Sequence, residues 1–102
     1  MTEGDNTSGD WGMEGLIPNY LKRRFAELGQ IEAALNNGDL SPVAMIGHKL
    51  AGNAETFGFP ALGHLGAKLE AAATAQNETE VRRIRAQIEV FLNQIDTSGK
   101  YR

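Results

Sequence analysis

The stretch SPVAMIGHKLAGNAETFGF, residues 41–59, carries the pattern that decides the fold. Its apolar residues recur at steps of three or four, which is the spacing of one face of an α-helix. The residues on that face are Val43, Ile46, Leu50, Ala54 and Phe57. Ser41 is the predicted N-cap, and Pro42 suits the first helical position. Because Gly58 ends the pattern, we predict one amphipathic helix between Ser41 and Gly58.

Three further segments have the same helical period. The first runs over about 17–37 and the third over about 60–76. Asn77 is the predicted cap of the fourth, with Glu80 reaching back to it three residues later. Connections of only a few residues favour antiparallel neighbours. The predicted fold class is therefore all-α, an antiparallel up-down-up-down four-helix bundle over residues 16–97.

The two ends of the chain are expected to lie outside this bundle. Residues 1–15 hold four glycines among acidic and polar residues, with too little apolar surface to compensate for the entropy lost on ordering. We expect a mobile N-terminal tail there, although Trp11 and Met13 would allow a short extra turn to dock. Residues 98–102 are expected to be a frayed C-terminus.

Composition limits the classes of function. The absence of cysteine excludes a disulfide framework and a cysteine metal site, and it fits a cytoplasmic location. No apolar run approaches the ~18 residues of a membrane span, so no membrane partner is expected. A net charge of −3 with scattered basic residues gives no reason to expect nucleic acid. A protein is therefore the class of partner that remains. The chain is expected to be a monomer, because no uninterrupted heptad is present.

His48 is the candidate functional residue of this stretch. It lies about 140° from the middle of the apolar face, so its ring is expected to point to solvent. Small or flexible residues surround it at one helical turn, namely Ala44, Met45, Ala51 and Gly52. Gly47 falls near the core, where a missing side chain lets two helices approach. Gly52 has no such role and costs roughly 1 kcal/mol relative to alanine, which indicates a surface kept open for a bound group or a partner.

These residues resemble the histidine-containing phosphotransfer (HPt) domain family, four-helix bundles that carry a phosphoryl group on one exposed histidine in two-component phosphorelays. The family pattern is a histidine followed by an apolar residue, two glycines and a leucine at fixed spacing. The matching residues here are His48, Leu50, Gly52, Gly58 and Leu62. The segments AALNNGD (33–39) and HLGAKLE (64–70) are also similar, and the resemblance extends over about residues 17–96.

The segment TFGF, residues 56–59, with Glu70 downstream, is similar to the phosphoacceptor domain of chemotaxis histidine kinases. In that domain the matching glutamate hydrogen-bonds the histidine, which implies that Glu70 orients His48. The geometry allows this contact, because a chain reversal at residues 58–60 puts residue 48 level with about residue 70. An acceptor at Nδ1 leaves the lone pair on Nε2.

One position departs from the family pattern. Three residues after the histidine the family usually has lysine, and this chain has Ala51. Lys49, next to the histidine, and Lys68, level with it on the next helix, are the two candidates for positive charge near a phosphoryl group. The sequence does not choose between them. The departure bears on charge complementarity toward the phosphoryl group more than on the acceptor role of His48.

The resemblance implies that His48 accepts a phosphoryl group from a receiver aspartate or a histidine kinase and passes it to a response regulator receiver domain. The chain lacks a carboxylate cluster for Mg²⁺ and a glycine-rich phosphate loop, so no cofactor is expected on it and Mg²⁺ is expected in the partner receiver. We therefore predict a phosphoryl carrier and not an enzyme. The docking surface is expected to contain Ala44, Met45, Ala51 and Gly52, with Phe59 on its apolar rim.

Two other hypotheses stay open. In the first, the chain is a helical interaction module that is never phosphorylated and binds partners through the same face. Ala51, which replaces the usual lysine of the family, supports this hypothesis. The chain would alternatively be the phosphoacceptor domain of a larger histidine kinase, although Met1 and the loose tail fit a free-standing protein better. His64 is predicted to be a surface residue, because two histidines without a nearby ligand set make a poor metal site.

Overall fold

The computed structural model describes the backbone of residues 9–98 and the side chains of residues 15–96. This part of the chain forms four helices and no strand: α1 (Gly9–Asn37), α2 (Ser41–Asn53), α3 (Pro60–Thr74) and α4 (Glu78–Ser98). Helix α2 packs mainly on α3, α3 on α4, and α1 closes the ring against α2 and α4. The predicted all-α four-helix bundle is confirmed. No described helix combines the length and the apolar character that crossing a membrane requires.

The core is built from the apolar faces that the sequence predicts, and every helix contributes to it. The largest fully buried side chains are Ile31, Val43, Leu62, Leu69, Val81, Ile84 and Leu92. Burying one such side chain stabilises the fold by about 1.5–3 kcal/mol relative to leaving it exposed. The bundle therefore follows directly from the spacing of apolar residues.

Helices α2 and α3 touch backbone to backbone at two glycines. A Cβ atom at Gly47 would lie 2.6 Å from the backbone nitrogen of Glu70 and 2.6 Å from the carbonyl oxygen of Gly66. A Cβ atom at Gly66 would lie 2.8 Å from the backbone nitrogen of Ala51. Since either side chain would force the helices apart, the close approach predicted at Gly47 is confirmed. It also fixes the register of α2 against α3.

Both ends of α2 differ from the prediction. Leu40 is the N-cap residue and is buried, so the helix already includes Ser41, whose N–H donates to Oδ1 of Asp39 at 3.0 Å. At the other end α2 stops at Asn53 and not near Gly58. The N–H of Phe59 donates to the carbonyl of Ala54, and Gly58 adopts φ +91°. Such a hydrogen bond reverses the chain and ends the helix early.

The junction of α3 and α4 confirms half of the predicted capping box. Oδ1 of Asn77 accepts a hydrogen bond from the N–H of Glu80 at 3.1 Å. The predicted return hydrogen bond from the Asn77 N–H to the Glu80 side chain is wrong, because this N–H donates to the Ala72 carbonyl at 2.9 Å. The Glu80 carboxylate binds the Arg83 guanidinium instead. The pKa of Glu80 is lowered by that hydrogen bond.

Helix α1 begins at Gly9 and not near Ile17, so it includes half of the stretch predicted to be a tail. Pro18 lies inside the helix, where it removes one N–H donor. Extending an existing helix costs little, because each added residue forms another hydrogen bond. Residues 1–8, residues 99–102 and the side chains of Trp11 and Met13 lie outside the described residues, so the expectations about them stay predictions.

Candidate functional site

His48 lies on the outer face of α2, with 76% of its side chain exposed. Its exposure follows from its position on the helix, since Gly47 before it and Leu50 after it are both buried. The ring has one polar partner among the described residues. The prediction that the ring of His48 faces solvent is thus confirmed.

That partner is Glu70 of α3. Nδ1 of His48 lies 3.1 Å from Oε2 of Glu70, whose side chain is 40% exposed. A carboxylate only accepts hydrogen bonds, so this contact requires the proton on Nδ1. Nε2 then carries the lone pair, and it has no hydrogen bond with the described residues. The ring is held by one nitrogen and offers the other to an approaching group.

The register that brings these two side chains together comes from the glycine contact. Gly47 immediately precedes His48, and the backbone of Glu70 rests against Gly47. Because the helices meet without side chains between them at this point, the side chain of His48 reaches across to that of Glu70. The hydrogen bond is therefore a local consequence of backbone packing.

A shallow groove lies beside the ring. Its lining includes Ala44, Met45 and Lys49 from α2 together with His48 and Glu70. Met45 is the exposed large apolar residue at this site, with 58% of its surface accessible. Ala51 and Gly52 are also exposed, and a Cβ atom at Gly52 would meet nothing within 4 Å. Four of the five residues expected on the docking surface therefore lie around His48, with Ala44 half-buried.

Phe59 is the fifth, and its expected place on the rim is wrong. It is buried, with 6% of its surface accessible. Its ring centroid lies 6.2 Å from that of Tyr20 and 6.2 Å from that of Phe91. The cause is the early end of α2, because the turn over residues 54–58 directs Phe59 inward. Met45 is left as the large apolar contact near the histidine.

The two candidate lysines differ in their surroundings. Lys49 lies in the groove with His48, and its charge also acts on Glu27 of α1. Burial raises the pKa of Glu27, and Arg24 and then Lys49 oppose that increase. Lys68 is exposed outside the groove, and its charge acts on Glu80 of α4. Of the two lysines, only Lys49 lines the groove beside the candidate acceptor.

His64 is exposed on α3, as predicted for a surface residue. Across residues 15–96, no three histidine, aspartate or glutamate side chains gather in an arrangement that would hold a metal ion. His48 and Glu70 are therefore treated as a pair, and no metal is assigned to them.

A polar cluster between α1 and α2 is not among the residues that the sequence predicted for the site. The Tyr20 hydroxyl donates to Oδ1 of Asn53 at 2.6 Å. The Arg24 guanidinium lies 4.4 Å from the centroid of the Tyr20 ring and pairs with Glu27, at 2.7 Å between Nε and Oε1. Burial raises the pKa of Tyr20. The signal that was available is the spacing of Arg24 and Glu27, three residues apart on one helical face.

Comparison with known protein families agrees with this geometry. The family model described as Hpt domain matches residues 19–97, which include most of α1, all of α2 and α3, and α4 except its last residue. The chain belongs to the HPt domain family. HPt domains act with kinases and receiver domains in phosphorelays, so histidine phosphotransfer is the general role of this HPt chain. Searches of curated proteins and of solved structures gave no significant match.

Proposed function

We propose that this chain is a histidine phosphotransfer protein whose phosphoacceptor is Nε2 of His48. The phosphoryl group comes from a receiver aspartate or a histidine kinase and passes to the receiver domain of a response regulator. The observation that carries the proposal is the 3.1 Å hydrogen bond between Nδ1 of His48 and Glu70 on an otherwise exposed ring, in a chain of this family.

The chemistry needs little from the chain beyond this pair. The Nε2 lone pair attacks the phosphorus of an aspartyl phosphate, the N–P bond forms, and the O–P bond breaks with its electron pair returning to the aspartate. The ring gains a positive charge while the proton stays on Nδ1. The Glu70 carboxylate stabilises that charge through a charge-assisted hydrogen bond. Transfer to the next receiver reverses the same steps.

Other requirements fall to the partner. Mg²⁺ binds to carboxylate and phosphate oxygens, and we expect it in the receiver beside the aspartate. Lys49 shares the groove with His48 and is the better placed of the two lysines to face the phosphoryl group, whereas Lys68 lies outside that groove. The chain therefore works as a carrier and not as an enzyme.

The receiver is expected to dock over Met45, with Ala44, Ala51 and Gly52 as the flat part of the surface. Met45 supplies apolar contact, and Gly52 leaves room for the partner to approach α2. We expect this contact to belong to the transient class, which buries less than ~1,200 Å² in total. Transient contact suits a carrier, because it has to leave one partner before it meets another.

The test is phosphoryl transfer from a panel of phosphorylated receiver domains with Mg²⁺, and from histidine kinases with ATP. Intact mass is measured under non-acidic conditions for the wild type, for His48→Gln and for His64→Gln. We expect an acid-labile phosphoryl adduct on the wild type and on His64→Gln, and none on His48→Gln. The two variants change the same residue type on exposed helix faces, so His64→Gln controls for folding and handling.

A different result would favour another class of function. If a folded wild-type chain gains no adduct from any donor, His48 is not a phosphoacceptor. The chain is then better described as an interaction module, the alternative that Ala51 supports. If kinases with ATP phosphorylate the chain and receivers do not, the phosphoacceptor domain of a histidine kinase becomes the better description.

A further inference from the structure

The groove between α1 and α2 carries a local charge opposite to that of the whole chain. Its charged lining consists of Arg23, Arg24 and Lys49 with one carboxylate, Glu27, which gives a local net charge of +2. The chain as a whole has a net charge of −3. A positive patch on an acidic protein attracts negatively charged surfaces locally, even though the molecule as a whole repels them.

Two of these four groups neutralise each other. Arg24 and Glu27 form a two-point ion pair, with a second contact of 3.1 Å between Nη2 and Oε2, and both side chains are largely buried. The guanidinium also rests on the Tyr20 ring, so the pair is held in place. The surplus charge remains with Arg23 and Lys49, which are both exposed, and the charge of Lys49 also acts on Glu27.

This groove is continuous with the proposed acceptor site. Lys49 lines both the groove beside His48 and the groove between α1 and α2. The latter also offers apolar surface, because Leu16 is about half exposed and Phe57 is partly buried at its side. A protein large enough to cover His48 and Met45 would therefore extend over Arg23 as well.

We propose that the groove between α1 and α2 binds an acidic segment of the receiver domain that docks at His48, with Arg23 as its charge contact and Lys49 shared with the acceptor groove. This inference rests on the proposed function. The surplus positive charge of the groove complements a segment rich in aspartate and glutamate, and because Lys49 lines both grooves, a partner seated at His48 would carry that segment. Opposite charges at the rim of an interface mainly increase the association rate and make it dependent on salt.

The experiment compares Arg23→Glu with Lys22→Glu. Both residues are exposed, both substitutions change the net charge by the same amount, and they are neighbours on α1. Lys22 lines the opposite groove, between α1 and α4. The readout is the second-order rate constant of transfer from a phosphorylated receiver at low salt and at 0.5 M NaCl, with circular dichroism to check the fold. Phosphoramidate, a small phosphoryl donor that needs no docking, reports on His48 alone.

We expect Arg23→Glu to slow transfer from the receiver roughly three- to tenfold at low salt, with the difference disappearing at high salt. Lys22→Glu should stay close to the wild type, and phosphoramidate should modify all three proteins at one rate. Equal slowing by both variants, no slowing by Arg23→Glu, or equal slowing with phosphoramidate would overturn the groove contact. Those outcomes leave the proposed function intact, whereas a wild type that accepts nothing from receivers overturns both.

Discussion

Gly52 lies on the exposed side of α2, one helical turn after His48, and a Cβ atom there would contact nothing within 4 Å. Gly47, in the same helix, is packed against the backbone of Glu70. A glycine inside a helix is unfavourable by about 1 kcal/mol relative to alanine unless packing requires it. At residue scale, folding therefore requires Gly47 but gives no reason for Gly52.

Gly52→Ala is expected to raise the free energy of unfolding by about 0.5–1 kcal/mol, measured by urea denaturation, because it adds helix propensity without a clash. Gly52→Gln should be no less stable than the wild type and should slow transfer from a receiver, because its side chain fills the open surface. Unchanged transfer by Gly52→Gln would remove Gly52 from the docking surface.

Gly47→Ala provides the opposite case in the same helix. Its methyl group would overlap the backbone of α3, so we expect a loss of about 2 kcal/mol in the free energy of unfolding. The measurement is the same urea denaturation. A neutral effect would mean that α2 and α3 separate easily at this point.

Glu70→Ala tests the orienting contact. Without an acceptor at Nδ1, the neutral ring is free to place its proton on Nε2, and the charge on the phosphorylated ring loses its partner. We expect ¹⁵N NMR of the ring nitrogens to show a shift away from the Nδ1–H tautomer, with phosphoryl transfer roughly three- to tenfold slower. Glu55→Ala, an exposed glutamate just after α2, is the control that should change neither. Slower transfer with an unchanged tautomer would argue against orientation as the role of Glu70.

At the scale of helices, the ends matter as much as the faces. Helix α3 ends in a reversal in which Gln76 has φ +58° and donates its N–H to the Ala73 carbonyl. Helix α1 ends in the same way at Gly38, with φ +72°. Glycine adopts this left-handed conformation freely, whereas a residue with a Cβ atom is strained in it. The same turn follows α2 at Gly58, so it is made twice with the favoured residue and once with an unfavoured one.

Gln76→Gly is therefore expected to raise the free energy of unfolding by about 0.5–1 kcal/mol, and Gly38→Ala to lower it by about 1 kcal/mol. Urea denaturation at one pH would measure both changes in the free energy of unfolding. Neither residue lines the groove beside His48, so phosphoryl transfer should stay unchanged. A destabilised Gln76→Gly variant would mean that the Gln76 side chain contributes more than its backbone strain costs.

Sequence patterns predicted the helices well because the apolar faces determine which side of each helix is buried. They failed at places where a single hydrogen bond decides. The end of α2 depends on the bond from Phe59 to Ala54, which turns Phe59 inward and away from the expected rim. The surface around His48 was predictable from helix geometry. The positively charged groove that Arg23 forms with Lys49 was not, because it depends on how α1 lies against α2.

At the scale of the whole molecule, the cluster around Tyr20 joins α1 to the end of α2 and to the turn that follows it. Tyr20 stacks on Phe57 at 4.1 Å between centroids, and its hydroxyl binds Asn53. The pair of Arg24 and Glu27 continues this contact along α1. Since α1 and α2 share less contact than α2 and α3, the cluster is a main attachment of α1 to the helix that carries His48.

Glu27 gives this attachment a dependence on pH. Burial raises the pKa of Glu27 above its ordinary value of 4.5. Between the unfolded pKa and the higher folded pKa, the folded chain retains a proton that the unfolded chain releases, so this group's contribution to stability falls as pH rises. We expect Glu27→Gln to lack that decrease, which urea denaturation between pH 3.5 and 6.5 would show. A difference between the two proteins that stays constant with pH would contradict the raised pKa.

The contact between α2 and α3 is the most extensive in the bundle and joins segments that adjoin in the chain. Contacts between residues close in sequence form quickly, because little loop entropy is lost in closing them. This helical hairpin is thus expected to assemble first on the folding pathway, before α1 closes over it. In stopped-flow measurements, Gly66→Ala should then mainly slow folding and leave the unfolding rate nearly unchanged. His48 would meet Glu70 while the rest of the bundle is still forming.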